Sequence, residues 1–145
     1  YSNWRIFPPM DAVVVYKCLC DASRLRILNL LSEGPLCVCH LQGILDETQV
    51  KTSKQLGYLR RNGLVETERH NNWTIYRLPS KPHPLVIENL KCLQDCRGEM
   101  KIFRADLRRR QSLLERLAEG AELCPPKVIA GGRGCAEKDS SDVCC

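Results

Sequence analysis

Cys37 and Cys39, in "GPLCVCHLQGIL" (residues 34–45), are the residues of this 145-residue chain whose type and spacing most directly suggest chemistry. Thiolates are soft ligands suited to As(III), Sb(III), Cd(II) and Pb(II). The pair follows a Gly-Pro and opens an apolar-periodic segment, so it falls at an expected helix start. Unpaired N–H groups and the helix dipole there favour an anion and lower a thiol's pKa. On a regular helix, residues two apart point about 200° away from each other. Shared capture of one ion therefore requires the first turn to unwind. Such a distortion would pass to the next element, and a ligand that distinguishes two states is what a switch needs.

The ten cysteines include three more close sets, Cys18/Cys20, Cys92/Cys96 and Cys144/Cys145. Neighbours this close on helices make poor structural disulfides. From Asp11 to Leu117 the chain also carries Leu, Ile and Val at helical spacing, a core that needs no staples. The composition thus points to a cytoplasmic protein with reduced thiols, kept for soft metals or redox chemistry, rather than to a secreted disulfide scaffold. Cys92 and Cys96, spaced i, i+4, share a helix face. Cys18 and Cys20 sit in apolar text, where Cys often serves as a small buried residue. Neither a Cys-x-x-Cys motif nor a phosphate-binding loop is present, so a thiol enzyme such as a small reductase is not expected. No apolar run is long enough to span a membrane, and "YSNWRIFPPM" lacks the pattern of a secretory signal.

The local pattern sets these residues on definite elements. "MDAVVVYKCLC" and "DASRLRILNLLSEG" read as two helices capped by Asp11 and Asp21. "PLCVCHLQGILD" reads as a short third helix with Pro35 in its first turn and Val38, Leu41 and Leu45 inward. "VKTSKQLGYLRRNG" is a fourth, ending at Gly63, with Val50, Leu56 and Leu59 inward. The period then changes to two in "LVETERHNNWTIYRLP", a hairpin turning at Asn71-Asn72. From Pro84 to about Leu117 the chain is helical again, with a break at Gly98 and a stripe that includes Leu90, Leu93, Ile102 and Leu107. The expected class is mainly α with a small β-hairpin, a winged helix-turn-helix with flanking N- and C-terminal dimerisation helices. Residues 1–10 form a loose lead, 11–118 the domain, and 119–145 a Cys-containing tail expected to be disordered.

The segments "CLCDASRLRILNLL", "PLCVCHL", "QVKTSKQLGYLRRNGLVE", "WTIYRL" and "IFRADL" together resemble the ArsR/SmtB family of metal-sensing repressors, closest to its arsenic-responsive branch. The resemblance implies a homodimer that binds double-stranded operator DNA and dissociates when Cys37 and Cys39 capture As(III) or Sb(III) as inducer, with no catalytic cofactor. A Cd/Pb/Zn-responsive or thiol-redox-responsive repressor on the same fold is the alternative. The branch often carries a third Cys where this chain has Gln42. The third ligand is therefore open among Cys92, Cys96, Cys18, Cys20, His40, a tail thiol and a small external thiol. A two-thiol site would also suit a monomethylated arsenic species. The C-terminal Zn/Cd site of some relatives is read as absent, because only His83 and Glu88 remain near its positions.

In a helix-turn-helix the second helix enters the major groove with its first residues nearest the bases. Here those are Gln49, Lys51, Thr52, Ser53, Lys54 and Gln55, followed by Arg60 and Arg61. Lys51 to Gly63 holds four basic residues and no acidic one, a local excess more telling than the net charge of +5. The hairpin tip, Arg69, His70, Asn71 and Asn72, is expected along the adjacent backbone or minor groove.

Overall fold

The computed structural model describes residues 11–70 and 72–119. Side-chain caps set the first two helices where the sequence places them. Asp11 accepts the Val13 N–H at the start of α1 (Ala12–Leu19), and Asp21 accepts the Arg24 N–H at the start of α2 (Ala22–Leu31). Next come β1 (Leu36–Cys37), α3 (Val38–Leu45) and α4 (Gln49–Arg61), which Thr48 caps through the Lys51 N–H. α4 ends on Gly63 at φ +77, with Leu64 N–H bonding Leu59 O and Gly63 N–H bonding Arg60 O. This paired closure satisfies two terminal carbonyls and favours a glycine at the left-handed position.

β2 (Glu66–His70) and β3 (Trp73–Arg77) pair antiparallel from Glu66↔Arg77 to His70↔Trp73. That register leaves the expected two-residue turn, whose Asn71 lies outside the described residues. α5 (Pro84–Cys96) and α6 (Lys101–Ala118) follow, separated around Gly98 as the sequence suggests. The core gathers Val15, Ile27, Leu28, Leu30, Leu41, Leu56, Leu59 and Leu64, all fully buried.

Three local expectations are corrected. Leu36 and Cys37 are not a helix start. They pair with Tyr76 and Ile75 on the other edge of β3, making a three-stranded sheet of order β1-β3-β2. Pro35 therefore precedes a strand, and Cys37 is the extended residue from which α3 departs. Val50 is 80% exposed, because the buried stripe of α4 is Thr52, Leu56 and Leu59 and Val50 falls off it. The C-terminal stripe is largely spent within the protomer. Leu90 is buried, Leu93 and Leu107 pack on the core, and only Ile102 of the four stands exposed.

α6 packs against α2 and α3 through named polar contacts. The fully buried Asp106 accepts Arg26 Nε and Nη2, each at 2.8 Å. Arg109 Nη1 donates to Ile44 O at 2.8 Å, and Arg110 Nη2 donates to Glu33 O at 3.0 Å. Gly34 makes the last contact feasible. Its φ is +138, and a Cβ there would stand 2.8 Å from Arg110 Nη2.

Candidate nucleic-acid interface and thiol site

On α4, Gln49, Lys51, Lys54, Arg60 and Arg61 are exposed, as are Arg69 and Asn72 of the wing. Thr52 is fully buried, so of the expected base-facing set it is the residue that faces the core. Ser53 and Gln55 are half-buried, and Gln55 Oε1 accepts Arg24 Nη1 at 2.9 Å. Arg24 also donates to Cys18 O and Lys17 O and stacks 4.3 Å from the Tyr58 ring centroid. One guanidinium thus holds α1, α2 and α4 together and sets the seat of the exposed basic face.

A second anchor sits at the turn before α4. Glu47 Oε1 accepts Ser23 Oγ at 2.6 Å and Lys51 Nζ at 2.9 Å, and lies 3.9 Å from Arg26 Nη1. Arg26 also reaches Leu45 O and holds Asp106; the hydrogen bond to Asp106 raises its pKa most, with burial opposing. Asp106 on α6, Arg26 on α2, Glu47 in the turn and Lys51 on α4 therefore form one chain of contacts. Asp46 enters that turn in the left-handed conformation at φ +54, which Asp tolerates better than most residues.

Cys37 and Cys39 straddle the strand–helix junction. Cys37 is buried at the end of β1 and carries a reduced thiol, while Cys39 is half-buried on α3. Cys39 is disulfide-bonded, which departs from the expectation of reduced thiols throughout. Its partner lies outside the described residues. The other described cysteines lie on α1, after it, and on α5. Burial raises the Cys18 thiol's pKa, with Arg24 partly offsetting it, so Cys18 is a poor thiolate. Cys20 is exposed. Cys92 and Cys96 are exposed neighbours, and the Cys92 charge is the main cause raising Cys96. Among the described residues no three His, Cys, Asp or Glu side chains converge as a metal site. His83 Nδ1 accepts the Leu85 N–H as the cap of α5, and Glu88 pairs with Lys91.

Beside Cys39, α3 and α6 line an open cavity of about 720 Å³. Its wall includes Cys39, His40, Arg108, Arg109, Ser112 and Arg116. His40 is only 5% exposed, and neither ring nitrogen has a partner. Burial pushes its pKa down to about 4, so the imidazole is neutral at physiological pH.

The sequence profile described as "Bacterial regulatory protein, arsR family" matches residues 21–67, from the cap of α2 into β2. The arsenical resistance operon repressor of Escherichia coli (strain K12) is 39% identical over 88 residues, covering 57% of this chain and 75% of that protein. The chain belongs to the ArsR family of bacterial regulatory proteins. Among solved structures, reduced HlyU from Vibrio cholerae N16961 superposes with a TM-score of 0.53 at 32% identity, covering 58% of this chain and 85% of that one. The homodimeric winged helix-turn-helix DNA-binding domain Mb0332 from Mycobacterium bovis gives 0.51 at 28% identity, covering 60% and 78%.

This ArsR-family chain is thus a winged helix-turn-helix transcriptional regulator, α4 being the second helix of the motif and β2–β3 the wing. Among the described residues no helix is long and apolar enough to cross a membrane. Sequence reasoning missed Arg24, Arg26 and Asp106, and it missed the α3–α6 cavity. The two arginines of "SRLRIL", set among the apolar residues of a short helix, were a signal for Arg24 and Arg26. Nothing local marked Asp106, whose partner is 80 residues away.

Proposed function

We propose that the protein is a cytoplasmic, homodimeric repressor that binds operator DNA through α4 and the wing and releases it when Cys37 and Cys39 capture As(III) or Sb(III). The observation that carries this reading is the placement of the two thiol positions. They flank the start of α3, the helix immediately before the recognition helix and its Glu47–Lys51 anchor. The similarity to the Escherichia coli arsenical resistance operon repressor supports the choice of ion.

Cys37 already lies outside the helix, so capture does not require two helical thiols to turn toward each other. It requires β1 and the first turn of α3 to adjust together. Movement of α3 reaches α4 through Asp46 and Glu47, which hold the turn between them. Capture also needs Cys39 reduced, because only a thiolate is a ligand. Val13 and Tyr16 on α1, each about half exposed, offer apolar surface for the second copy, and the homodimeric Mb0332 domain supports that assembly.

A second reading rests on the Cys39 disulfide. In it, oxidation of Cys39 rather than ion capture shifts α3, and the protein is a thiol-redox regulator on the same fold. One experiment separates the two. The purified protein is bound to a labelled fragment selected from random duplex DNA. The complex is then titrated with As(III), Sb(III), methylarsenite, Cd(II) and Zn(II) under reducing conditions, and separately with a peroxide without metal. The proposal expects release by As(III) and Sb(III) at far lower concentration than by Cd(II) or Zn(II). Release by peroxide alone, with no response to As(III), would replace it with the redox reading.

A further inference from the structure

The outward stripe of α4 is Val50, Lys54, Gly57 and Arg61. Spaced i, i+4, i+7 and i+11, these residues fall within about 60° on a helix. They stand opposite the buried Thr52, Leu56 and Leu59. Lys54 and Arg61 are exposed cations, suited to phosphate. Val50 is the misfit. It is 80% exposed at the second residue of the helix, more so than Val13, Tyr16 or Ile102.

The first residues of the second helix of the motif are those nearest the bases. The neighbours of Val50 there are polar: Gln49 is exposed, and Lys51 Nζ donates to Glu47 Oε1 at 2.9 Å. The Val50 side chain has no donor or acceptor. Against a polar base edge it would displace water and return no hydrogen bond. The apolar group that the major groove offers is the C5-methyl of thymine. A β-branched residue in a helix is also nearly fixed at χ1, so Val50 loses little freedom on making such a contact.

Gly57, on the same stripe, is an independent mark of close approach. It lies inside α4, where glycine weakens a helix relative to alanine. Among the described residues, a Cβ there would meet Arg61 Nη1 at 4.0 Å and nothing closer. Packing within the protein therefore does not call for the glycine, whereas a surface pressed against the stripe does.

We propose that Val50 is a specificity-determining residue that reads a thymine of the operator by packing on its C5-methyl group in the major groove, with Gly57 giving the stripe a close seat on the DNA. The inference rests on the reading of α4 as the helix that contacts DNA, and it does not depend on which inducer the protein senses. Lys54 and Arg61 hold the stripe to the backbone without regard to sequence, and Val50 supplies discrimination at one base pair.

The test uses the full chain and the duplex it selects from random DNA. Each thymine is replaced in turn by deoxyuridine, which keeps the base pair and lacks the methyl group. Fluorescence anisotropy gives Kd for the parent and for Val50→Ala. At one thymine position, deoxyuridine is expected to weaken parent binding about fourfold, the worth of one buried methyl. Val50→Ala should bind the thymine and deoxyuridine duplexes equally and unfold at no lower urea concentration than the parent. Gly57→Ala should unfold at higher urea concentration and bind the duplex severalfold more weakly. The proposal is overturned if methyl removal at every thymine leaves parent binding unchanged. It is also overturned if the penalty is the same in Val50→Ala, since another residue then reads the methyl. Unchanged DNA affinity in Gly57→Ala would remove the close seat. A parent that binds no duplex in a salt-dependent way sinks the reading of α4 and this inference together. A parent that binds, and loses affinity in Lys54→Ala, but ignores methyl removal sinks this inference alone.

Discussion

The face proposed to meet DNA and the face formed by α3 and α6 are built on opposite principles. On α4 and the wing, the polar side chains are exposed to solvent or paired with neighbours, with the buried Thr52 hydroxyl an exception. Arg24 and Glu47 fix that surface from behind. On the α3–α6 face, both His40 nitrogens and Arg110 Nε are buried without partners, and a buried ion pair holds the helices together. A surface meant for a large polyanion needs exposed charge on a rigid seat. A surface meant to respond needs groups whose requirements are unmet until a ligand arrives. Perturbing each face should therefore have different consequences.

The largest effect is expected at the ion pair. Asp106→Asn leaves the largely buried Arg26 with only the more distant Glu47 carboxylate, 3.9 Å away, as counter-ion, at a cost of about 3 kcal/mol. Urea unfolding measures this, and hydrogen exchange should show α6 losing protection before α4 does. Equal loss of protection in both helices would break the contrast between the faces.

Acid comes next. The folded-state pKa of His40, about 4, lies below its ordinary 6.5, so the unfolded chain takes up the proton first. Stability is full above pH 6.5 and falls as pH drops toward 4, by about 3 kcal/mol at pH 4. Burial is the cause of the shift; the Arg108, Arg109 and Arg116 guanidinium groups share the cavity wall with His40, and Cys39, being disulfide-bonded, adds no charge. Unfolding curves between pH 4 and 8 should show this slope, and His40→Leu should lose it.

How much of this was legible in the sequence follows the same division. The caps Asp11 and Asp21, the Gly63 closure and the two-residue wing turn are local signals, and each element they mark is present. The basic face of α4 was legible for the same reason, because a charge run on one helix needs no partner to be seen. What failed depended on distant contacts. Leu36 and Cys37 become a strand only because β3 has a free edge to offer. The Leu93–Leu107 stripe reads equally well as a dimer seam or as a fold-back, and only α6 meeting α2 and α3 decides it. Asp106 carries no local mark that separates it from a surface acid; only Arg26, 80 residues away in sequence, does so.

Two smaller effects sharpen the comparison. Gly34→Ala forces an L side chain into φ +138 and against Arg110 Nη2. A loss of about 1–3 kcal/mol is expected in urea unfolding. Lys54→Ala, on the exposed face of α4, should leave stability within about 0.5 kcal/mol of the parent. It should weaken DNA binding and lower the magnitude of the salt slope, log Kd against log salt concentration, by about 1. A Lys54→Ala variant with an unchanged salt slope would remove that residue from the interface.

The central claim is that the strand–helix junction at Cys37 and Cys39 senses As(III) and transmits it to α4. The direct measurement is fluorescence anisotropy of the protein–DNA complex during As(III) titration under reducing conditions, for the parent and for Cys37→Ser. The account predicts that the parent releases DNA and that Cys37→Ser binds the same DNA but fails to release it at concentrations that empty the parent complex. Normal release by Cys37→Ser would contradict it.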